Sequence, residues 1–446
     1  MKREDGFPQD FVWGCSTSCY QIEGAAKEDG KGPSIWDTFS HTPDKVLSGH
    51  TGDIACDSYH RWREDIALLR ELNAGAYRFS VSWTRIQPEG KGATNQRGLD
   101  YYSRLVDELS EAGVEPWIEL FHWDLPQALE EAGGWRNRDT AMRFQDYAAI
   151  MYAHIGDRVR HWTSMNEPWC AAFLGHLTGE HAPGLRDRRA ANRAVHHLLL
   201  AHGLATRAFR RSGIKGEYGI VINPSKPRPA TLRPEDVEAS ERASIERTSL
   251  WLDPVFGRDY PKAFMDIFGS DMPIEAGDMD IIAEPLDFIG VNYYDEEAVR
   301  AAPFSAKNPY GFEFVPTYQK KTEMGWEIEP SGLRRILMYI ATLWPCKKMY
   351  VTENGAAFLD KPDPDGIVRD YERIDYIRSH ANACRDAIKQ GVPLKGYFLW
   401  SLIDNFEWSF GYNRTFGIAT VDPNRLERRP KLSFYYYRDL IAGFGL

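Results

Sequence analysis

Residues 161–168 read His-Trp-Thr-Ser-Met-Asn-Glu-Pro, a short apolar and β-branched run that ends in an amide, a carboxylate and a proline. Such a run is typical of a buried β-strand with polar residues at its carboxyl end. Seven other apolar runs occur, and most are followed by helical periodicity, which predicts parallel β/α architecture. The predicted strands are Phe11–Thr17, Ala76–Trp83, Glu115–Trp123, His161–Asn166, Tyr218–Asn223, Asp287–Tyr294, Met349–Thr352 and Gly396–Ile403. The predicted helices are Tyr59–Leu72, Asp100–Ala112, Thr140–Ile155, Ala190–Arg211, Pro234–Leu252, Leu333–Leu343, Ile374–Gln390 and Leu432–Ile441.

Eight strands with eight partner helices fit one α/β architecture, a (β/α)8 TIM barrel with long insertions in the loops that follow the strands. No linker rich in Ser, Gly or Pro and no block of charge divides the 446 residues. We therefore expect residues 1–446 to form a single barrel domain. The expected insertions are Pro33–Gly52, Pro224–Pro234, Pro254–Pro285 and Ala301–Pro330.

The composition excludes several classes of protein. Hydrophobic residues make up 43% of the chain and charged residues 26%, which is the profile of a globular protein. Lys and Arg number 54 against 64 Asp and Glu, and the net charge of −10 offers no positive field for nucleic acid or anionic lipid. The first ten residues lack an apolar signal segment, and no later run approaches the roughly 20 apolar residues that span a bilayer. These features predict a cytoplasmic protein without membrane contact, and six cysteines without a Cys-x-x-Cys pair predict reduced thiols.

Polar side chains close five of the predicted strands, at the barrel end where active sites lie. Glu167 follows strand 4 and Glu353 follows strand 7, so their carboxyl groups can face each other across the barrel mouth. A carboxyl pair suits glycosidic bond cleavage, because the oxocarbenium-like transition state needs a proton at the leaving oxygen and a negative charge opposite the anomeric carbon. A separation of about 5–5.5 Å would give retention and about 6.5–9.5 Å inversion, and the spacing in sequence leaves both open.

Several motifs in order carry a resemblance to a known family. They are Phe11-Val12-Trp13-Gly14 with Tyr20-Gln21-Ile22-Glu23-Gly24-Ala25, His122-Trp123-Asp124, Asn166-Glu167-Pro168, Thr352-Glu353-Asn354-Gly355 and Glu407-Trp408. From Phe7 to Ile441 the sequence is similar to glycoside hydrolase family 1, the β-glucosidase family. The resemblance implies a retaining exo-β-glycosidase of carbohydrate and cellulose degradation that acts on β-D-glucosides, and also on β-galactosides and β-fucosides, without cofactor or metal.

The resemblance also assigns catalytic roles. Glu353 would be the nucleophile that forms a covalent glycosyl-enzyme, and Glu167 would be the acid and then the base. Arg78 and Tyr294 would keep the nucleophile charged and oriented, and Asn292 belongs to the same catalytic set.

A sugar pocket needs hydrogen-bonding groups around the pyranose rim and aromatic rings against its faces. Among the residues that the resemblance implies, Asn166 would hold the 2-hydroxyl, Trp400 would stack on the sugar, and Trp326 would stack on the leaving group. The full substrate-binding set is Gln21, His122, Trp123, Asn166, Trp326, Trp400, Glu407, Trp408 and Phe416.

Some alternatives stay open at this point. A carboxylate at Glu407 would repel a phosphorylated sugar, which favours an unphosphorylated small-molecule β-glycoside. The same two carboxyls would also serve a transglycosylase, and a non-catalytic sugar-binding barrel is a third hypothesis. Cys170 is either a reactive thiol or a small buried apolar residue. The oligomeric state is not fixed by the sequence, and a homo-oligomer is one of its alternatives.

Overall fold

The computed structural model describes residues 6–444. Its centre is a closed barrel of eight parallel strands, in which each strand pairs with its neighbours in chain order and the first closes onto the last. On the first strand, Ser16 is in register with Arg78 on one side and with Trp400 on the other. The predicted (β/α)8 TIM barrel is confirmed. The strands are β1 (Val12–Ser16), β2 (Ala76–Ser80), β3 (Glu115–Glu119), β4 (His161–Asn166), β5 (Glu217–Ile222), β6 (Phe288–Asn292), β7 (Met349–Asn354) and β8 (Leu394–Trp400).

Eight principal helices, one after each strand, surround the barrel. In the second of them Leu99, Tyr102, Val106 and Leu109 are buried at spacings of three or four residues, which is the apolar stripe expected of a helix that packs on a sheet. No helix between residues 6 and 444 combines the length and the apolarity that a bilayer crossing requires. The helices are α1 (Ser58–Leu72), α2 (Gln96–Glu111), α3 (Asp139–Ile155), α4 (Arg188–Ser212), α5 (Pro234–Ala243), α6 (Pro330–Leu343), α7 (Tyr371–Lys389) and α8 (Leu432–Ile441).

The loops carry shorter elements. Short α-helices are Cys19–Ile22, Ile35–Ser40, Trp83–Ile86, Gln127–Glu131, Leu250–Val255, Lys262–Phe268 and Asp278–Ile282. Turns of 3₁₀-helix are Leu47–Gly49, Gly134–Arg136, Gly269–Asp271 and Trp408–Phe410, and π-helical segments are Cys170–Thr178 and Ile245–Ser249. Arg228–Pro229, Ala298–Ala301 and Phe312–Val315 form a three-stranded sheet, and Ala419–Val421 pairs with Arg428–Pro430.

Inside the barrel, four aromatic side chains form a plug that we call the barrel floor: Trp117, Phe288, Tyr350 and Phe398. The ring of Trp117 lies 4.7 Å from that of Tyr350 and 4.8 Å from that of Phe398, centroid to centroid. Gly14 makes room for this plug, because a Cβ there would lie 2.6 Å from the Phe398 ring. The barrel interior is therefore packed below the mouth rather than open.

Several predicted bounds differ from the structure by a few residues; predicted strand 2, for example, ran to Trp83, whereas β2 ends at Ser80 and Trp83 begins a short helix. Two further elements differ more. Predicted strand 3 ran to Trp123, but β3 ends at Glu119, and Trp123 has a left-handed φ of 76° that a strand cannot contain. Predicted helix Pro234–Leu252 is interrupted by the π-helical segment Ile245–Ser249. At this turn the indole of Trp251 donates to the carbonyl of Glu246 at 2.9 Å, and the hydroxyl of Thr248 donates to the carbonyl of Ser225 at 2.8 Å.

Candidate active site

A pocket of about 380 Å³ opens at the carboxyl ends of the strands, where the sequence predicted the site. Most of the predicted residues line it, and the other three lie buried behind the lining. The lining residues are His122, Trp123, Glu167, Asn292, Tyr294, Trp326, Glu353, Trp400, Glu407, Trp408 and Phe416. The three behind it are Gln21, Arg78 and Asn166, all at most 1% exposed.

Glu353 is held by a cation and a hydroxyl. Arg78 donates from Nη1 to Glu353 Oε1 at 2.7 Å, and Tyr294 donates from its hydroxyl to Glu353 Oε2 at 2.7 Å. Each donor satisfies one oxygen of the carboxylate, and together they fix its plane. Glu353 is thus oriented as an anion in the pocket.

Glu167 lacks a cationic partner of this kind. Asn292 donates to its Oε1 at 2.7 Å, and the thiol of Cys170 donates to its Oε2 at 3.0 Å. Burial and the nearby charge of Glu353 raise the pKa of Glu167 to about 7, although these two hydrogen bonds act in the opposite direction. Glu167 can therefore hold a proton near neutral pH and release it when its surroundings change.

A buried residue that we did not predict, Glu119 at the end of β3, connects the other polar groups. It accepts from Arg78 Nη2 at 2.6 Å and lies 2.8 Å from Nδ1 of His122. Arg78 also donates to Asn166 Oδ1 at 2.8 Å. Burial alone would raise the pKa of Glu119, but the charge of Arg78 and the hydrogen bond from His122 outweigh burial and hold that pKa below its ordinary value. Its sequence signal was a carboxylate within an otherwise apolar predicted strand.

Glu407 lies on another part of the pocket wall. Its Oε2 is buried without a hydrogen-bond partner among residues 6–444. Burial and the charges of Glu353 and Glu167 raise the pKa of Glu407 to about 8. Such a shift favours the protonated form of Glu407, which can both donate and accept hydrogen bonds. Neighbouring Gln21 donates to the carbonyl of Phe406 at 2.8 Å.

Aromatic rings form the remaining walls. The ring centroids of Tyr294 and Trp326 are 5.2 Å apart, and those of Trp326 and Phe416 are 6.1 Å apart. Trp400 is stacked near His122, with 5.9 Å between ring centroids. These rings offer the apolar faces that a pyranose requires.

Three pocket residues have left-handed backbone conformations that side chains rarely adopt: Trp123 (φ 76°), Glu167 (φ 41°) and Trp408 (φ 48°). Such strained residues cluster at functional sites, where the surrounding structure holds them. Glu167 comes directly after β4, Trp123 lies in the loop between β3 and the helix Gln127–Glu131, and Trp408 begins the 3₁₀ turn Trp408–Phe410.

Several further residues in or next to the pocket were not predicted as site residues. Their sequence gives little signal, because they come from loops and from the interrupted fifth helix. They are Trp169, Cys170, Asn223, Arg247, Asp295 and Glu297. Between residues 6 and 444 no group of three or more His, Cys, Asp and Glu side chains is arranged to hold a metal ion.

The geometry pairs an oriented carboxylate with a carboxylic acid in one aromatic pocket, and such a pair can perform nucleophilic attack and acid–base catalysis on a glycosidic bond.

Comparisons with known proteins agree with this chemistry. Residues 3–445 match the model of glycosyl hydrolase family 1. Beta-glucosidase A of Thermotoga maritima is 46% identical over 442 residues, which cover 99% of this chain and 98% of that protein. A 1,4-beta-D-glucan glucohydrolase of Thermotoga neapolitana is also 46% identical, with 99% of each chain covered.

Solved structures show the same likeness. A beta-glucosidase from Thermotoga maritima in complex with deoxynojirimycin superposes with a TM-score of 0.96 at 45% identity, over 100% of both chains. The resemblance noted in the sequence is thereby confirmed over almost the entire length. The chain belongs to glycosyl hydrolase family 1.

Proposed function

We propose that the protein hydrolyses β-D-glucosides from their non-reducing ends with net retention, through a covalent glycosyl-enzyme. One observation carries the proposal: Glu353, bound by Arg78 and Tyr294, shares a pocket with Glu167, whose pKa is raised to about 7. One group is thus held as an anion and the other is ready to give a proton. Two carboxyls in these states are what glycoside cleavage requires.

In the first step, the Glu353 carboxylate attacks the anomeric carbon and the bond to the leaving oxygen breaks. Glu167 gives its proton to that oxygen, and the leaving alcohol departs neutral. In the second step, Glu167 is a carboxylate and takes a proton from water, whose oxygen displaces Glu353 from the anomeric carbon. Each step inverts the anomeric centre, so the product keeps the β configuration.

Arg78 and Tyr294 act on the nucleophile in this scheme, and Asn292 acts on the acid by fixing Oε1. Asn292 donates to Oε1 of Glu167 and the Cys170 thiol donates to Oε2, so the carboxyl plane of the acid is fixed. Asn166 would hold the 2-hydroxyl. His122 is suited to the binding of sugar hydroxyls, since Glu119 fixes its ring at 2.8 Å.

The sugar specificity rests on Glu407. As a buried acid that can donate and accept, it can bind a 4-hydroxyl in either orientation, so β-galactosides and β-fucosides should also be accepted. Its side chain has no cation within 4 Å among the described residues, which disfavours a phosphorylated sugar at this wall. Gln21, Trp123 and Trp408 complete the sugar side, and Trp400 supplies the stacking face.

The biological setting is part of the proposal. The likeness to a 1,4-beta-D-glucan glucohydrolase supports a role in breaking down cellulose-derived oligosaccharides. All six cysteines are free thiols and five are buried, which suits a reducing compartment such as the cytoplasm. We further propose that the whole chain is one catalytic domain, whereas a homo-oligomer stays a prediction.

The test is azide rescue with an aryl β-glucoside as substrate. In Glu167→Ala, azide should replace water and give the β-glycosyl azide, because the nucleophile is intact. In Glu353→Ala, azide should attack directly and give the α-glycosyl azide. Glu180→Ala removes another carboxyl of the same pocket and is the control, for which no dependence on azide is expected. The same anomer from both variants would refute the assigned roles.

A further inference from the structure

Glu119 is a buried acid that the catalytic scheme does not use. It is the last residue of β3 and is fully buried, behind the lining of the pocket. A carboxylate at such depth costs free energy unless hydrogen-bond donors satisfy its oxygens. The donors that satisfy Glu119 therefore determine what it can do for the site.

The two oxygens of Glu119 meet two different donors. Arg78 donates from Nη2 to Oε1 at 2.6 Å, and Nδ1 of His122 lies 2.8 Å from Oε2. Although burial would raise the pKa of Glu119, the charge of Arg78 and the hydrogen bond with His122 lower it, so Glu119 is an anion that can only accept. Nδ1 of His122 must therefore carry the hydrogen of this contact.

The other ring nitrogen of His122 meets Asn166. Nη2 of Arg78 and the amide of Asn292 both donate to Oδ1 of Asn166, at 2.8 and 2.9 Å. Because a guanidinium can only donate, this contact fixes which end of the Asn166 amide is the oxygen, and it places Nδ2 opposite Nε2 of His122 at 3.0 Å. Nε2 must then accept. His122 is thus the tautomer that carries its hydrogen on Nδ1 alone.

Four side chains close into a cycle of hydrogen bonds, which we call the Glu119 cycle: Arg78, Glu119, His122 and Asn166. Every donor in it faces an acceptor, and one reversed amide or tautomer would bring two donors together. Such a buried network is specific only when all its members are satisfied. Nδ2 of Asn166 spends one hydrogen on His122 and keeps the second for a ligand.

Only a carboxylate completes the Glu119 cycle at position 119. A glutamine has one oxygen that accepts and one amide that donates. If its oxygen accepts from Arg78, its amide faces Nδ1 of His122 and drives the hydrogen to Nε2, where it meets the amide hydrogens of Asn166. If its oxygen accepts from His122 instead, its amide faces a cation. Both arrangements break the cycle.

We propose that Glu119 is a positioning residue that fixes the tautomer of His122 and, through that ring, the orientation of the Asn166 amide toward the 2-hydroxyl of the sugar. This inference rests on the proposed function, in which Asn166 holds that hydroxyl. A contact to the 2-hydroxyl strengthens in the transition state, so its loss lowers kcat as well as kcat/KM. Loss of Glu119 should spare the nucleophile, because Glu353 keeps its own hydrogen bond from Nη1 of Arg78.

The kinetic test compares kcat/KM for an aryl β-glucoside and for the matched aryl 2-deoxy-β-glucoside. Glu119→Gln should lose about tenfold to a hundredfold on the glucoside and less than about threefold on the 2-deoxy substrate, which has no 2-hydroxyl to bind. Glu119→Asp keeps two accepting oxygens and should recover part of the loss on the glucoside. Asp65→Asn removes another buried acid from its partner Arg428, and as the control it should leave the ratio of the two substrates unchanged.

A second measurement follows the tautomer itself. In wild-type protein with isotope-labelled histidine, long-range proton–nitrogen correlation spectra should show Nε2 of His122 as the nitrogen without hydrogen. Glu119→Gln should move the hydrogen to Nε2. The resonances of this ring are identified by their absence from the spectrum of His122→Asn.

Equal losses on the two substrates would overturn the proposal, because the effect would then reach Glu353 through Arg78 or would act on the fold as a whole. A wild-type His122 with its hydrogen on Nε2, or a tautomer that Glu119→Gln leaves unchanged, would overturn it as well. Failure of the broader function has a different signature, since wild-type protein would then cleave neither substrate while the tautomer is still measured. Thermal unfolding checks the fold of each variant. If Glu119→Gln does not fold, Glu119→Asp takes its place in the comparison, and its retracted oxygens should still cost more on the glucoside than on the 2-deoxy substrate.

Discussion

Acids lie at both ends of the barrel, half-buried beside the floor and buried at the mouth, and their surroundings shift their pKa values in opposite directions. Beside the floor, His161 stacks on Trp117 at 4.0 Å and lies between Glu115, at 3.0 Å, and Glu217, at 3.7 Å. Hydrogen bonding to His161 and Lys348 lowers the pKa of Glu217 to about 2. At the mouth, burial raises the pKa values of Glu167 and Glu407 to about 7 and 8.

The two ends show that the acids beside the floor stabilise the fold, whereas the acids at the mouth serve catalysis. Acids near the floor have partners that neutralise them in the folded state, so their charges support the structure. Among the described residues Glu167 and Glu407 form no ion pair, and their raised pKa values mean that their charged forms cost stability. A substrate can use that imbalance, because its arrival supplies hydroxyls and a leaving oxygen to the unsatisfied groups.

The largest expected effect comes from replacing Glu by Gln, once at the barrel mouth and once beside the barrel floor. Glu353→Gln should lower kcat by about 10⁴-fold or more, since it removes the attacking carboxylate while Arg78 keeps Glu119 as a partner. Its free energy of unfolding should not fall, because one of three neighbouring acids is gone. Steady-state kinetics and urea unfolding measure the two quantities.

Glu217→Gln is the matched control at the floor. It should leave kcat within about twofold of wild type and lower the free energy of unfolding, because His161 and Lys348 lose their charged partner. If Glu217→Gln impaired turnover as Glu353→Gln does, the separation between the two ends would be wrong.

The next effect concerns the pH dependence of stability, which should have opposite signs at the two ends. The pKa of Glu217 is lowered from 4.5 to about 2, so its contribution is present above pH 4.5 and is lost as the pH falls toward 2. The pKa of Glu407 is raised from 4.5 to about 8, so its contribution is complete below pH 4.5 and is lost as the pH rises toward 8.

Urea unfolding between pH 3 and 9 tests this pair of signs. Glu217→Gln should flatten the acid side of the stability curve, and Glu407→Gln should flatten the neutral side and gain relative stability at pH 8. A wild-type curve that rises between pH 5 and 8 and keeps that rise in Glu407→Gln would contradict the assignment.

The sequence allowed the strands to be predicted well, since a buried parallel strand is a short apolar run wherever it occurs. Strand His161–Asn166 was predicted without error, and the end of strand 3 was misplaced because the chain turns at Trp123, whose indole donates to the carbonyl of Asn166 on β4. The two acids could be found because each closes a strand. Arg247 could not, because it lies on a π-helical turn whose Thr248 is held by Ser225, a residue distant in sequence.

Cys170 shows the same limit on a smaller scale. The sequence left it as a reactive thiol or an apolar filler, and the structure makes it neither. Burial and the charge of Glu167 raise its pKa, so it stays protonated, and it donates to Glu167 while accepting from Asn223 at 3.4 Å.

The smallest expected effect concerns the influence of the Cys170 thiol on the pKa of Glu167. Burial and the charge of Glu353 raise the pKa of Glu167, whereas the hydrogen bonds from Cys170 and Asn292 lower it. Cys170→Ala should therefore raise the pKa of Glu167 and move the alkaline limb of kcat/KM up by about half a pH unit, the worth of one neutral hydrogen bond. Cys170→Ser keeps a donor and should hold the limb near its wild-type position. A limb that moves equally in both variants would mean that Cys170 acts only by filling space, and the mouth acids would then be set by burial and charge alone.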